Sequence, residues 1–369
     1  MEVIFGIIIV LLIVLVVVLY ISYKNKQIIS TTPPQNKPPV VIVNASDDKF
    51  ANKVVFITGG TSGIGLASAA AFARNGAAHV IVCGRLRSRW DTAQVYLNRV
   101  LTSEQASVVE YRYCDVRIED NVKTIIKSIF DDYGRLDVCF NNAGIIPLRN
   151  ANITDIAYTS LIGPDGSIIY KLGPPEPTSD FSLTPEQRLN GSGGGCDPSQ
   201  ITPVSPWCES PLATNAFGTF YCLKWELHYI FERQPKHLGV SIISTSSRQG
   251  TIPSATQPLY SATKAFIDAL TFAVANQVAQ KCVAENRAMI HINTISPGPT
   301  DTPSERAAYS GTEEEFTAAA TRGVPMRRVA APQEIAEGVI FLADTRIASY
   351  ITSSSLHVDG GATGSPVLG

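Results

Sequence analysis

The sequence predicts an α/β protein: a mostly seven-stranded, parallel, doubly wound sheet with helices on both faces, preceded by one transmembrane helix. Three observations carry that prediction. From residue 49 onward, apolar runs of strand length alternate with longer helical stretches. A glycine-rich turn joins the first strand to the first helix, and an apolar segment opens the chain.

That opening segment, Val3 to Ile21, is apolar throughout except for Tyr20. As a helix it roughly spans about 30 Å of hydrocarbon. A cleaved signal peptide would carry a basic start, a shorter apolar core and a small-residue cleavage site. This chain begins Met1-Glu2 and shows no obvious cleavage site, so an uncleaved anchor over residues 1–23 is favoured over a signal peptide or a buried core helix. Lys24, Lys26 and Lys37 follow the span and only Glu2 precedes it, which leaves the bulk of the chain on the cytosolic face. The expectation is a single-pass protein of the endoplasmic reticulum or another internal membrane. Three Asn-x-Ser/Thr sequons, at Asn44, Asn152 and Asn190, pull against that topology without reversing it. Residues 24–48, with the Pro- and Thr-rich stretch Ser30 to Pro39, read as an extended tether.

The folded body is expected over residues 49–369. Val54–Thr58 reads as a strand, Ile64–Arg74 as a helix and Val80–Gly84 as a strand. Val109–Asp115, Leu136–Asn141, Val240–Ser246 and Met289–Ile295 follow as strands, and Leu356–Asp359 closes the edge. Between Ile145 and Pro211 the rhythm fails: 10 of the 23 prolines fall there, with the run Gly191-Ser192-Gly193-Gly194-Gly195. Residues 145–211 therefore read as an irregular insertion leaving the carboxyl edge of the sheet, either a lid or membrane-contacting loop or a disordered segment without a role. Ser210 and Pro211 look like an N-cap and first helical residue. That helix start lies only four positions before Asn215, which leaves the insertion room to displace Asn215.

Composition narrows the function. At 45% hydrophobic residues a sizeable core is assured, and 30 basic against 32 acidic residues without a basic stripe exclude a nucleic-acid partner. Seven scattered cysteines with no CxxC pair and no Cys/His ligand spacing call for neither a metal nor an oxidising compartment.

Thr58-Gly59-Gly60-Thr61-Ser62-Gly63-Ile64-Gly65 lies between the first strand and the first helix. Glycines there let the backbone turn sharply and approach a pyrophosphate, and the helix N-terminus offers free N–H groups to the anion. A glycine string alone is weak evidence. After Val54-Val55-Phe56-Ile57 and before an Ala-rich helix it becomes a dinucleotide site.

The spacing TGxxxGxG resembles the short-chain dehydrogenase/reductase family, whose Rossmann-like fold the strand pattern matches. Asn141-Asn142-Ala143-Gly144 looks like the family's motif at the end of its fourth strand, and Tyr260-Ser261-Ala262-Thr263-Lys264 its YxxxK. Ser247 precedes Tyr260 by the family's usual interval, and Asn215 resembles its fourth catalytic residue. Pro297-Gly298 with Thr300 and Thr302 looks like the nicotinamide-side loop, Asp115-Val116 the adenine-contacting pair, and Val358-Asp359-Gly360-Gly361 the closing strand. The resemblance covers residues 50–361 outside the insertion. It implies cofactor contacts from Thr58, Gly59, Ser62, Gly63, Ile64, Gly65, Asn142, Ala143, Gly144, Tyr260 and Lys264, and a homodimer or homotetramer. Thr300 departs from the pattern, standing where the family usually has an apolar residue.

The residues make chemical sense on their own. Reducing a carbonyl by hydride leaves an alkoxide that needs a proton, and oxidation needs the reverse. A tyrosine with an ordinary pKa of about 10 is a poor acid or base near neutrality, and a nearby ammonium lowers that value. Helical i, i+4 spacing sets Lys264 beside Tyr260, and by resemblance Lys264 also bonds the nicotinamide ribose. Ser247 is placed to hold the substrate oxygen, and Asn215 to position a water linking Lys264 to solvent. Taken singly, each has a blander explanation: a solvated helix face, a strand-end turn, a helix start. Their joint order and placement point to catalysis.

The second strand ends Val82-Cys83-Gly84-Arg85, with no acid before Asp91. An acid there would accept from a ribose 2′-OH, whereas an arginine suits a 2′-phosphate, so NADP(H) is favoured over NAD(H). The expected function is a membrane-tethered, NADPH-dependent reductase acting on a carbonyl substrate, and the anchor suggests a lipid-like one such as a sterol, retinoid or acyl chain. The alternatives are an NAD(P)-dependent alcohol dehydrogenase working oxidatively, or a catalytically silent nucleotide-binding scaffold.

Overall fold

The computed structural model describes residues 49–147, 211–308 and 312–364. Seven parallel strands form one sheet: β1 (Val54–Thr58), β2 (His79–Gly84), β3 (Val109–Tyr113), β4 (Val138–Asn141), β5 (Val240–Thr245), β6 (Ile290–Pro297) and β7 (Ser355–Val358). They lie in the order β3-β2-β1-β4-β5-β6-β7. The chain winds outward from β1 to β3, returns to the centre at β4 and then winds the other way. Strand order therefore reverses between β1 and β4, which opens a crevice at their carboxyl ends.

Between the strands run α1 (Gly63–Arg74), α2 (Arg87–Val100), α3 (Ser103–Ser107) and α4 (Glu119–Tyr133). A π-helical turn, Leu212–Phe217, leads straight into α5 (Gly218–Arg233). After it come α6 (Arg248–Thr251), α7 (Pro258–Ala284), α8 (Pro303–Ala307), α9 (Glu313–Thr321) and α10 (Pro332–Ala343).

Alternation along each strand feeds two cores. Val55 and Ile57 of β1 join Val80, Val82, Phe140, Ile243 and Ile295 in one cluster, covered by Phe72 of α1, Leu97 of α2 and Val339 of α10. Val54 and Phe56 join Ile81, Cys139, Ile242 and Ile292 in the other, under Ile126 of α4, Leu223 of α5 and Val278 of α7. Burial on both faces is why the strands read as continuous apolar runs rather than alternating ones. The described cysteines 83, 114, 139, 222 and 282 are buried free thiols within or beside this core.

The strand predictions hold with small shifts that have local causes. β3 stops two residues early because Asp115 makes a turn, its Oδ1 accepting from Arg117 N–H and its carbonyl from Ile118 N–H. β4 begins at Val138 because the Leu136 N–H is diverted to Gln234 Oε1. The anchor 1–23, the tether 24–48, the three sequons and nearly all of the 145–211 insertion lie outside the described residues. Among the described residues, no helix is long and apolar enough to cross a membrane.

Candidate active site

The glycine turn sits at the carboxyl end of β1, and each glycine there answers to a measurable crowding. Gly59 (φ +65°) and Gly63 (φ +53°) lie in the left-handed region. A Cβ on Gly65 would stand 2.4 Å from the Gly59 carbonyl oxygen, and one on Gly59 2.9 Å from Ala143 Cα. Ser62 is the N-cap of α1 but makes no capping hydrogen bond, so the first-turn N–H groups face the crevice without a side-chain acceptor. A pyrophosphate fits that donor set.

Thr58 and Asn142, expected as cofactor contacts, also brace the turn. The Thr58 hydroxyl oxygen accepts from the Asn142 and Ala143 N–H groups at 3.0 Å each. Asn142 Nδ2 donates to the carbonyls of Thr58 and Gly59, and its Oδ1 accepts from Thr245 Oγ1. The ends of β1, β4 and β5 are thereby tied together. Asn141 turns toward the helix side, donating at 3.0 Å to the fully buried Glu226, whose carboxyl burial pushes up to about 7.

At the second strand's end, Gly84 packs on Thr61 and its carbonyl accepts from Tyr111 Oη; the exposed Arg85 follows directly. Asp115 is buried with its carboxylate paired to Arg117, and Val116 is pressed against Gly218, where a Cβ would come within 2.8 Å. Across the crevice, Thr302 caps α8 by accepting from Glu305 N–H and lies against Gly63. Thr300 donates its hydroxyl to the Gly298 carbonyl, so the polar group that departs from the expected apolar residue is tied back to its own loop.

Tyr260 and Lys264, one turn apart on α7, are both buried beside the end of β5. Lys264 Nζ lies 5.5 Å from the Tyr260 ring centroid and donates to the Thr245 carbonyl at 2.7 Å. Ser247 caps α6, its Oγ accepting from Gln249 N–H at 3.1 Å. With a lone pair so engaged, its own O–H points away from that N–H and is available to an oxygen in the cleft. Ser247, Tyr260, Ile64, Ile146, Pro297, Gly298, Thr300 and Thr302 all line one cleft of about 530 Å³.

Asn215 is not displaced by the insertion. It sits fully buried in the π-helical turn, where Gly218 N–H reaches back five residues to the Ala213 carbonyl. Its amide brackets Ile145, accepting from the N–H at 2.8 Å and donating to the carbonyl at 3.1 Å, and also donates to Thr263 Oγ1. A Cβ on Gly144 would stand 3.3 Å from Asn215 Oδ1 and 3.7 Å from Lys264 Nζ, so both side chains converge on that glycine. Such π turns are common at functional sites.

Comparison with known proteins bears on this geometry. A family model described as short chain dehydrogenase matches residues 53–161, and one described as enoyl-(acyl carrier protein) reductase matches 205–363. An uncharacterized short-chain type dehydrogenase/reductase of Acanthamoeba polyphaga mimivirus is 37% identical over 87% of this chain and 100% of its own length. The chain belongs to the short-chain dehydrogenase/reductase family. Chloroplastic NADPH-dependent aldehyde reductase 1 of Arabidopsis thaliana is 29% identical, over 85% of this chain and 88% of its own. A crystal structure of a variant actinorhodin polyketide ketoreductase with NADPH superposes with a TM-score of 0.60 at 25% identity, over 85% of this chain and 98% of that one. The protein is thus an oxidoreductase acting on alcohol or carbonyl groups, on a fold that binds NAD(P)(H).

Several residues of this short-chain dehydrogenase/reductase escaped the sequence reading. Asp268, one turn beyond Lys264, accepts from Ser246 Oγ at 2.7 Å and from Thr294 Oγ1 at 2.8 Å, clamping β5 and β6 to α7. Burial lowers the Lys264 ammonium from 10.5 to about 8, and the Asp268 charge opposes that fall. Gln249 and Gln257 form a buried amide pair: Gln249 Nε2 donates to Gln257 Oε1, Gln257 Nε2 to the Pro147 carbonyl, and Ser261 Oγ to Gln249 Oε1. Only the i, i+4, i+8 spacing of Tyr260, Lys264 and Asp268 could have flagged Asp268 from sequence. For the glutamines, no sequence signal exists.

Proposed function

We propose that this enzyme is a membrane-tethered, NADPH-dependent reductase that transfers hydride to a carbonyl substrate, with Tyr260 as proton donor. The observation carrying the reading is that Ser247 and Tyr260 line one cleft at the carboxyl edge of the sheet, beside the glycine turn, with Lys264 buried one turn beyond Tyr260 and 5.5 Å from its ring centroid.

Bound at that turn, the nicotinamide cofactor would supply the hydride. The chain's own residues do the rest. Ser247 donates its O–H to the carbonyl oxygen as negative charge builds there. Tyr260 Oη delivers the proton to the same oxygen. Lys264, held by the Thr245 carbonyl, keeps a positive charge near the phenol and so favours release of its proton. Asn215 braces the Ile145 turn against Lys264, and the water expected to link Lys264 to solvent would sit in that corner.

NADPH is favoured over NADH because Arg85 follows Gly84 where a 2′-phosphate would lie, with no acid in its place. The tether rests on the apolar span 1–23 and the lysines after it, and it places the catalytic body on the cytosolic side of an internal membrane. A membrane-derived carbonyl compound, such as a sterol, retinoid or acyl chain, fits that location. A homodimer or homotetramer belongs to the same reading.

The test is turnover of purified protein with NADPH and with NADH across a carbonyl panel. Wild type should prefer NADPH, and Tyr260→Phe should lose about 10²- to 10⁴-fold in kcat while still binding cofactor. Equal turnover by the two proteins would refute the mechanism.

A further inference from the structure

Arg248 follows Ser247 directly and lines the same cleft as Ser247 and Tyr260. It is half-buried, and its guanidinium makes no hydrogen bond or ion pair among the described residues. The other arginines of this neighbourhood are committed: Arg306 to Asp301 and Glu313, and Arg328 to Glu334. A guanidinium partly withdrawn from water without a partner is costly, and five N–H donors in a fixed fork are left for a ligand.

Its surroundings are held rigid. The Ser247 cap fixes the start of α6 through Gln249 N–H. The Gln249 side chain is pinned by Gln257 and Ser261, and Gln257 by the Pro147 carbonyl. Gly250 is packed so closely that a Cβ would stand 2.5 Å from Asp268 Oδ2. Arg248 thus projects from a short helix clamped at both of its neighbours, which favours a defined ligand position over a loose surface charge. Glu305, the acid of the cleft lining, sits on α8 beyond Thr302. The chain as a whole is slightly acidic, at net charge −2, so general electrostatics do not attract anions.

From this we infer that the substrate carries a negatively charged group in addition to its carbonyl, and that Arg248 binds it. Planar carboxylate geometry matches the guanidinium fork best. The inference rests on the proposed reductase reading, because it presumes that the carbonyl lies between Ser247 and Tyr260. Among membrane-derived carbonyl compounds it selects those with an acidic end, such as a free oxo fatty acid, over neutral sterols or retinoids.

A matched pair tests it: 4-carboxybenzaldehyde and its methyl ester carry the same aldehyde and differ in charge. Calorimetric titration of the full-length protein in the presence of NADP+ should show the acid binding about 10-fold more tightly than the ester, the effect of one partly exposed charge-assisted contact. Arg248→Gln should collapse that ratio toward one, and Arg248→Lys should keep part of it. Equal binding of acid and ester by wild type, or a ratio untouched in Arg248→Gln, overturns the inference. Turnover of the same pair with NADPH is read separately. An Arg248-dependent binding ratio without turnover of either aldehyde leaves the anion site standing and removes the reductase reading.

Discussion

Replacing Lys264 by methionine should make this protein more stable at pH 7 while abolishing its activity. The ammonium is buried, and burial lowers its pKa from 10.5 to about 8. A depressed folded-state value means that the folded form binds its proton less readily than the unfolded chain does. Its contribution to stability is therefore full above pH 10.5 and lost as pH falls through 8. At pH 7 the charged group weakens the fold by about 3.5 kcal/mol, from a shift of 2.5 units at about 1.4 kcal/mol each. Methionine removes that charge at similar length but leaves the Thr245 carbonyl without the 2.7 Å donor, which costs about 1 kcal/mol. The net gain is about 2.5 kcal/mol, or roughly 4 °C in Tm for a body of this size. Thermal unfolding followed by circular dichroism, without cofactor, at pH 7 and at pH 9.5, measures it. The variant should lead at pH 7, and the gap should shrink as wild-type Lys264 loses its proton. A variant that melts at or below wild type at pH 7, with a gap indifferent to pH, would refute the reasoning.

Two further outcomes follow from the neighbours of Lys264. Asp268→Asn removes the charge that holds the Lys264 pKa up, so the alkaline limb of the kcat profile should move to lower pH, and an unmoved limb would assign Asp268 to the Ser246–Thr294 clamp alone. Asn215→Ala strands the half-buried N–H and carbonyl of Ile145, so stability should fall by about 1–2 kcal/mol by denaturant titration, and kcat should fall with it; loss of kcat at unchanged stability would show that the amide acts in the chemistry and not as a brace.

Much of the architecture was legible in the sequence because its signals are local. The central strands are buried on both faces and so read as largely apolar runs, and together with the more polar edge runs Val109–Tyr113 and Ser355–Val358 they announced seven strands to within about two residues. The glycine turn was equally legible, since only glycine tolerates the positive φ at positions 59 and 63 and the 2.4 Å approach at position 65. Tyr260 and Lys264 were readable because i, i+4 spacing on a helix fixes their proximity.

What only the tertiary structure decided depends on contacts between residues far apart in the chain. Asn215 is held at the site within a π turn, set by backbone hydrogen-bond register and by the Ile145 bracket 70 residues away. Asp268 became significant only once β5 and β6 were brought against α7, because Ser246 and Thr294 have no local tie to it. That Thr58 and Asn142 brace the turn emerged only when the strand ends they join were placed side by side. Arg248 shows the same limit most plainly. In the sequence it is one charge among 30 basic residues, and only packing shows which arginines have found an acid and which one stands in the cleft without one.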